Sequence, residues 1–297
     1  MLSLSRILCP VDLSPSSRSA FGVALALARW HQATVHVLYV IDPGPTTGSE
    51  TGALFEVTPA MRESAEEALE WFVARKVDLA VAVHPVVREG ATTATILTEA
   101  TTLAADLIVL GTHGRGGFER FALGSIAEKV VRKAMCPVLT VPPEEAGAST
   151  VMRGVLAATD FSRAAEQAVA YGRFLAMVSG AAFTIATVVE WPFGETGGAD
   201  PVAELRASLE AEARSRLAAT MVAGGPPTQT VVLTGKPWRE LTAYARANRS
   251  GLIVVGHAGH GVLDLAFLGS TAHRLLHDAP CPVLTVRPPG QPDASGG

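Results

Sequence analysis

The sequence predicts an α/β protein built from two tandem doubly wound (Rossmann-like) domains, and three observations carry that prediction. The chain repeats itself. Each copy alternates β-rich runs with helical runs. A glycine-rich loop follows the fourth β-rich run of each copy.

The repeat is clearest in two segments, LIVLGTHGRGGFERFALGSIAEKVVRKAMCPVLTVPP from Leu107 and LIVVGHAGHGVLDLAFLGSTAHRLLHDAPCPVLTVRPP from Leu252. Gly111 aligns with Gly256, Gly124 with Gly269 and Cys136 with Cys281, all at an offset of 145 (256 − 111) and without a gap. About half of the aligned positions are identical. The starts match too: ILCPVDLS aligns with VLAATDFS, and Asp12 with Asp160 at an offset of 148 (160 − 12). A deletion of three residues therefore separates the two regions. Its expected place is the loop after the second strand, where Pro, Gly and Thr cluster at 43–52 and 192–198.

In the first copy the β-rich runs are Arg6–Val11, Thr34–Ile41, 81–87, 107–110 and Val138–Val141. Helical patterns fill 16–30, 58–76, 93–105 and 125–134, with Leu69, Phe72 and Val73 expected in the core. The second copy repeats the scheme with strands near 154–159, 183–189, 229–233, 252–255 and 283–286. Strands alternating with helices of this length imply right-handed βαβ units and a parallel sheet covered on both faces. The domains are read as 1–143 and 151–288, joined by a polar, turn-rich linker, with 289–297 a disordered tail.

Composition narrows the function. The 297 residues carry a net charge of −4 and no basic block, which argues against nucleic-acid binding. Three cysteines without a CxxC argue against a zinc site or disulfide framework and for a reducing compartment. No signal peptide or run of about 18 apolar residues is evident, so a cytoplasmic protein with no membrane partner is expected.

Ligands of open α/β sheets bind beyond the carboxyl ends of the strands. Two features stand at such ends. One is the aspartate after the first strand, Asp12 or Asp160. The other is the loop G-x2-G-x9-G-S: Gly111, Gly114, Gly124 and Ser125, then Gly256, Gly259, Gly269 and Ser270. Glycines let backbone N–H groups approach an anion, and Gly-Ser opens a helix whose N-terminus favours phosphate. A structural reading stands beside this one. Ser125 with Glu128 spells a capping box, which the second copy lacks because His273 replaces the Glu. Asp12 also reads as a turn residue before a helix started by Ser14-Pro15.

The tandem loops, the strand-end aspartates and the closing CPVLTV strands resemble the universal stress protein family in its tandem form, over nearly the whole chain. The resemblance implies a five-stranded parallel sheet of order 3-2-1-4-5 in each half. It implies ATP, with or without Mg, in each half, with ADP, AMP or a cyclic nucleotide as other ligands. Adenine would lie near Val40 or Val188, and Asp12 or Asp160 would contact the adenosine. The glycine loops would hold ribose and phosphates. Pro10, Val11, His113, Arg115 and Ile126 fall at flanking positions in the first half, and Thr159 and Thr271 in the second. Ala258 stands where the first half has His113, so unequal sites are expected. The family also implies that the last strands pair the halves as an intrachain pseudo-dimer, with a homodimer a further option.

Other candidates are weaker. Walker A and the dinucleotide fingerprint are absent. His273 and His277 stand at i,i+4, either a metal pair or a solvated face, the latter favoured because Glu128 and Arg132 are their counterparts. Cys136 and Cys281 read as core fillers, and Cys9 as a core residue with a redox role as the alternative. No catalytic constellation assembles. A nucleotide-dependent stress-response regulator is the expectation, against a slow ATPase or phosphotransferase and a non-nucleotide interaction module.

Overall fold

The structure is a computed structural model that describes residues 2–44, 57–76, 80–112, 123–143, 153–191, 203–221, 225–259 and 268–288. The chain divides into two units, Met1–Ala148 and Ser149–Gly297. The first contains β1 (Arg6–Val11), α1 (Pro15–His31), β2 (Thr34–Ile41), α2 (Pro59–Ala74), β3 (Val83–Glu89), α3 (Thr92–Thr102), β4 (Leu107–Gly111), α4 (Ser125–Lys133) and β5 (Val138–Val141). The second contains β6 (Gly154–Ala158), α5 (Arg163–Ser179), β7 (Ala182–Val189), α6 (Ala203–Ala219), β8 (Thr228–Thr234), α7 (Pro237–Ala247), β9 (Leu252–Gly256), α8 (Ser270–Asp278) and β10 (Val283–Val286).

Within the first unit the strands run in the order β3-β2-β1-β4-β5, and within the second β8-β7-β6-β9-β10. Every pairing inside these two sets is parallel. The order implied by the resemblance is therefore present in both units. Parallel strands covered on both faces need apolar residues throughout, and β1 and β4 supply them: Ile7, Leu8, Cys9, Ile108 and Val109 are fully buried. Phe21 of α1 and Phe72 of α2 meet with ring centroids 5.7 Å apart. Leu69, Phe72 and Val73 are buried, as expected from the pattern.

Two boundaries moved. β3 starts and ends two residues later than the apolar run, because Arg88 and Glu89 still pair with Val40 and Ile41. Their charges are met by Glu99, 3.0 Å from Arg88 Nε, and by Arg62. α3 stops at Thr102, where Ala104 turns left-handed at φ 45°. The linker, the tail and the proposed deletion segments fall wholly or largely outside the described residues.

His36 of β2 stacks on His84 of β3, with ring centroids 5.3 Å apart. Burial of the His36 ring is the main cause of its lowered pKa, and His84 adds to it. Unfolded, the ring takes up a proton below its usual 6.5; folded, it does so only at lower pH. Its contribution to stability is thus complete above 6.5 and is lost as pH falls through the folded value. Urea midpoints at about pH 7.5 and about pH 5.5 should show this acid sensitivity, and His36→Gln should reduce it. An unchanged slope in the variant would exclude His36 as a source.

Candidate functional site

The order of each sheet reverses beside its first strand, which places a crevice at the carboxyl ends of β1 and β4, and of β6 and β9. A cavity of about 380 Å³ lies there in the first unit, and one of about 360 Å³ in the second. Both volumes suit a small organic ligand.

One wall is the turn after the first strand. Ser14 caps α1 by accepting from the Ser17 N–H at 3.2 Å, and Ser162 caps α5 through Ala165 at 3.3 Å. The residue before each cap is left-handed without being glycine: Leu13 at φ 65° and Phe161 at φ 64°. The aspartate before it stabilises the turn. Asp12 Oδ1 accepts the Ser14 N–H at 3.0 Å, and Asp160 Oδ1 that of Ser162 at 2.9 Å. The turn role foreseen for Asp12 is therefore real, and both carboxylates also line their cavities.

Another wall is a helix N-terminus. Gly124 is the N-cap of α4 and Gly269 that of α8, and neither helix has a side-chain cap. The capping-box reading of Ser125 is corrected here: Ser125 sits one residue inside the helix, beyond the position a box needs. Glu128 instead pairs with Arg132 at 2.8 Å. The first intrahelical bonds run from Glu128 N–H to Gly124 O and from His273 N–H to Gly269 O, each 2.9 Å. The amides of Ser125, Ile126 and Ala127, and of Ser270, Thr271 and Ala272, precede them, and all six residues line the cavities.

The glycines divide by role. A Cβ on Gly256 would stand 2.8 Å from the Ala164 carbonyl carbon and 2.9 Å from the Ala165 nitrogen; one on Gly111 would stand 3.1 Å from the Ser16 backbone. These two glycines let α5 and α1 rest on the strand ends, which is a packing role. A Cβ on Gly259 would land on Oδ2 of Asp160, so this loop backbone lies against the aspartate. Gly269 differs: its φ is −58°, and a Cβ there would meet only His257 O at 3.4 Å, Ala258 Cα at 3.5 Å and Gly259 N at 3.7 Å. Among the described residues, nothing about the fold itself requires glycine at 269.

The structure brings Pro10, Val11, Asp12, Val40, Gly111, Gly124, Ser125 and Ile126 into the first cavity. Thr159, Asp160, Val188, Gly256, Gly259, Gly269, Ser270 and Thr271 meet in the second. His113, Gly114 and Arg115 lie outside the described residues. Sequence reasoning missed the far end of each cavity, where Thr92 and Ile96 correspond to Pro237 and Leu241. A signal existed: Gly90 and Gly235 align at the same offset of 145 (235 − 90), with φ of 134° and 140° before these helices.

The minor candidates resolve simply. Cys9 is fully buried in β1, and that burial pushes its thiol pKa far up, which removes the redox alternative. Burial likewise raises Cys281 to about 12 and Cys136 to about 11. His273 and His277 are half-buried, not on a fully solvated face, with ring centroids 4.8 Å apart. No helix among the described residues is long and apolar enough to cross a membrane.

The universal stress protein family profile matches residues 4–142 and 152–287. A universal stress protein of Methanocaldococcus jannaschii is 36% identical over 137 residues, covering 46% of this chain and 81% of that one. One from Mycolicibacterium smegmatis is 26% identical over 290 residues, 95% of this chain and 97% of the relative. A crystal structure of a universal stress protein from Archaeoglobus fulgidus superposes with a TM-score of 0.69 at 23% identity, covering 95% of this chain and 98% of that one. With both halves matched and the fold shared across the full length, the chain belongs to the universal stress protein family, as a tandem pair of its domains.

Proposed function

We propose that each half binds a purine nucleotide, an adenine nucleotide such as ATP in the first, and that occupancy rather than turnover is the output. One observation carries this reading. In both units a cavity is lined by an aspartate held by its own turn and by a helix N-terminus without a side-chain cap. Three amides of that terminus precede the helix ladder and favour phosphate. The strand-end backbone at Pro10-Val11 and Ala158-Thr159 lines the space between. A ligand spanning these walls would therefore carry an anion at one end and hydroxyl donors for the carboxylate at the other, as a nucleotide does.

Binding without rapid turnover fits the same residues. One Asp12 oxygen is committed to the Ser14 N–H, and Asp160 is committed likewise to Ser162. The reading therefore assigns these carboxylates to ligand and turn rather than to activating a water. A thermal or urea denaturation of the full chain with ATP at about 100 times its Kd should show a gain of roughly 2.7 kcal/mol. Unaltered unfolding in millimolar ATP and GTP would overturn the proposal.

A further inference from the structure

The two cavities differ at the end away from the phosphate-binding helix, and the difference lies in one carboxylate. Asp42 and Glu190 are equivalent, each two residues beyond the paired valines Val40 and Val188. In the first unit Asp42 is consumed locally. Its carboxylate accepts the Thr92 N–H at 3.0 Å, the Thr92 hydroxyl at 2.7 Å and the Gly44 N–H at 3.0 Å. These bonds, those from Thr92 foremost, hold its pKa below the usual range. Asp42 caps the turn into α3 and does not line the cavity.

In the second unit that arrangement cannot form. Pro237 replaces Thr92, so the hydroxyl and the N–H that would engage a carboxylate are both missing. Glu190 is exposed, makes no hydrogen bond or ion pair among the described residues, and lines the cavity. Beside it the lining is apolar: Ala186, Val188, Pro237 and Leu241. An apolar slot edged by one carboxylate suits a flat ring that presents hydrogen-bond donors along one edge.

We propose that the second half selects a guanine nucleotide, with the Glu190 carboxylate accepting from the N1–H and the N2 amino group of the base. A carboxylate only accepts, and two oxygens side by side match two adjacent donors. Guanine presents that pair on its Watson–Crick edge. Adenine presents one amino donor beside the N1 acceptor, whose lone pair faces the second oxygen unfavourably. Among the described residues the first cavity has no such carboxylate at this end, so the two halves read different bases. This inference rests on the nucleotide reading of the cavities.

The test uses the full chain with Gly124→Val closing the first site, and titrates GTP and ATP by calorimetry. The second site should bind GTP at least about 10-fold more tightly than ATP, the discrimination expected of one bidentate contact. Glu190→Gln presents one acceptor and one donor, which match adenine, so it should remove or invert the preference. Glu190→Ala should abolish it without favouring adenine. ATP binding as tightly as GTP, or a preference unmoved in both Glu190 variants, would overturn guanine selection while leaving nucleotide binding intact. Failure of both nucleotides to bind a folded protein would overturn the nucleotide reading of this half, and the inference with it.

Discussion

Gly256→Ala is expected to destabilise the second unit by about 2–3 kcal/mol, because the added Cβ meets backbone that cannot turn aside. Its neighbours would be the Ala164 carbonyl carbon at 2.8 Å, the Ala165 nitrogen at 2.9 Å and the Ala164 Cβ at 3.0 Å. These atoms belong to the first turn of α5, which is fixed by the Ser162 cap and by the Phe161 turn. To relieve the contact, α5 must lift from β9, the strand it packs against. Urea denaturation monitored through the second unit should show the loss without any nucleotide present. A change below about 0.5 kcal/mol would mean that α5 shifts freely, contrary to the packing described.

Gly269→Val is expected to do the reverse, leaving the fold nearly intact while weakening nucleotide binding in the second half about 100-fold or more. The Cβ has room at 3.4–3.7 Å, and φ −58° with ψ 145° suits a β-branched residue. Losing a glycine N-cap costs about 1 kcal/mol at most. The methyls, however, would stand at the start of the helix whose Ser270, Thr271 and Ala272 amides are proposed to receive the phosphates. Calorimetric titration beside a denaturation curve separates the two quantities. Undiminished affinity in a stable variant would show that the ligand does not approach this helix terminus. Taken together, the two glycine substitutions split one motif into a position that serves the fold and a position that serves the ligand.

That split was not legible in the sequence. The motif G-x2-G-x9-G-S presents its glycines as equals, and the partner that makes Gly256 obligatory, the start of α5, lies far away in the chain. The capping box failed for a related reason: S-x-x-E does not reveal whether Ser125 is the cap or the residue after it, and one residue decides. What was legible came from periodicity and repetition. β1 and β2 occupy the expected residues because inner strands are apolar along their length. β3 did not, because an edge strand carries paired charges such as Arg88 at its end. Asp12 and Asp160 were singled out as equivalent, and they occupy equivalent turns. The contrast between Asp42 and Glu190 could not be read in advance, since it depends on Thr92 bonding the Asp42 carboxylate directly, which Pro237 in its place cannot do.

Each half is proposed to hold one nucleotide in the cavity lined by its strand-end aspartate and its helix N-terminus. Equilibrium dialysis of the full chain against a mixture of labelled ATP and GTP measures this directly. Two equivalents of purine nucleotide per chain are expected, falling to one in Gly269→Val. No bound nucleotide in the wild-type protein, or two equivalents retained in a folded Gly269→Val variant, would contradict it.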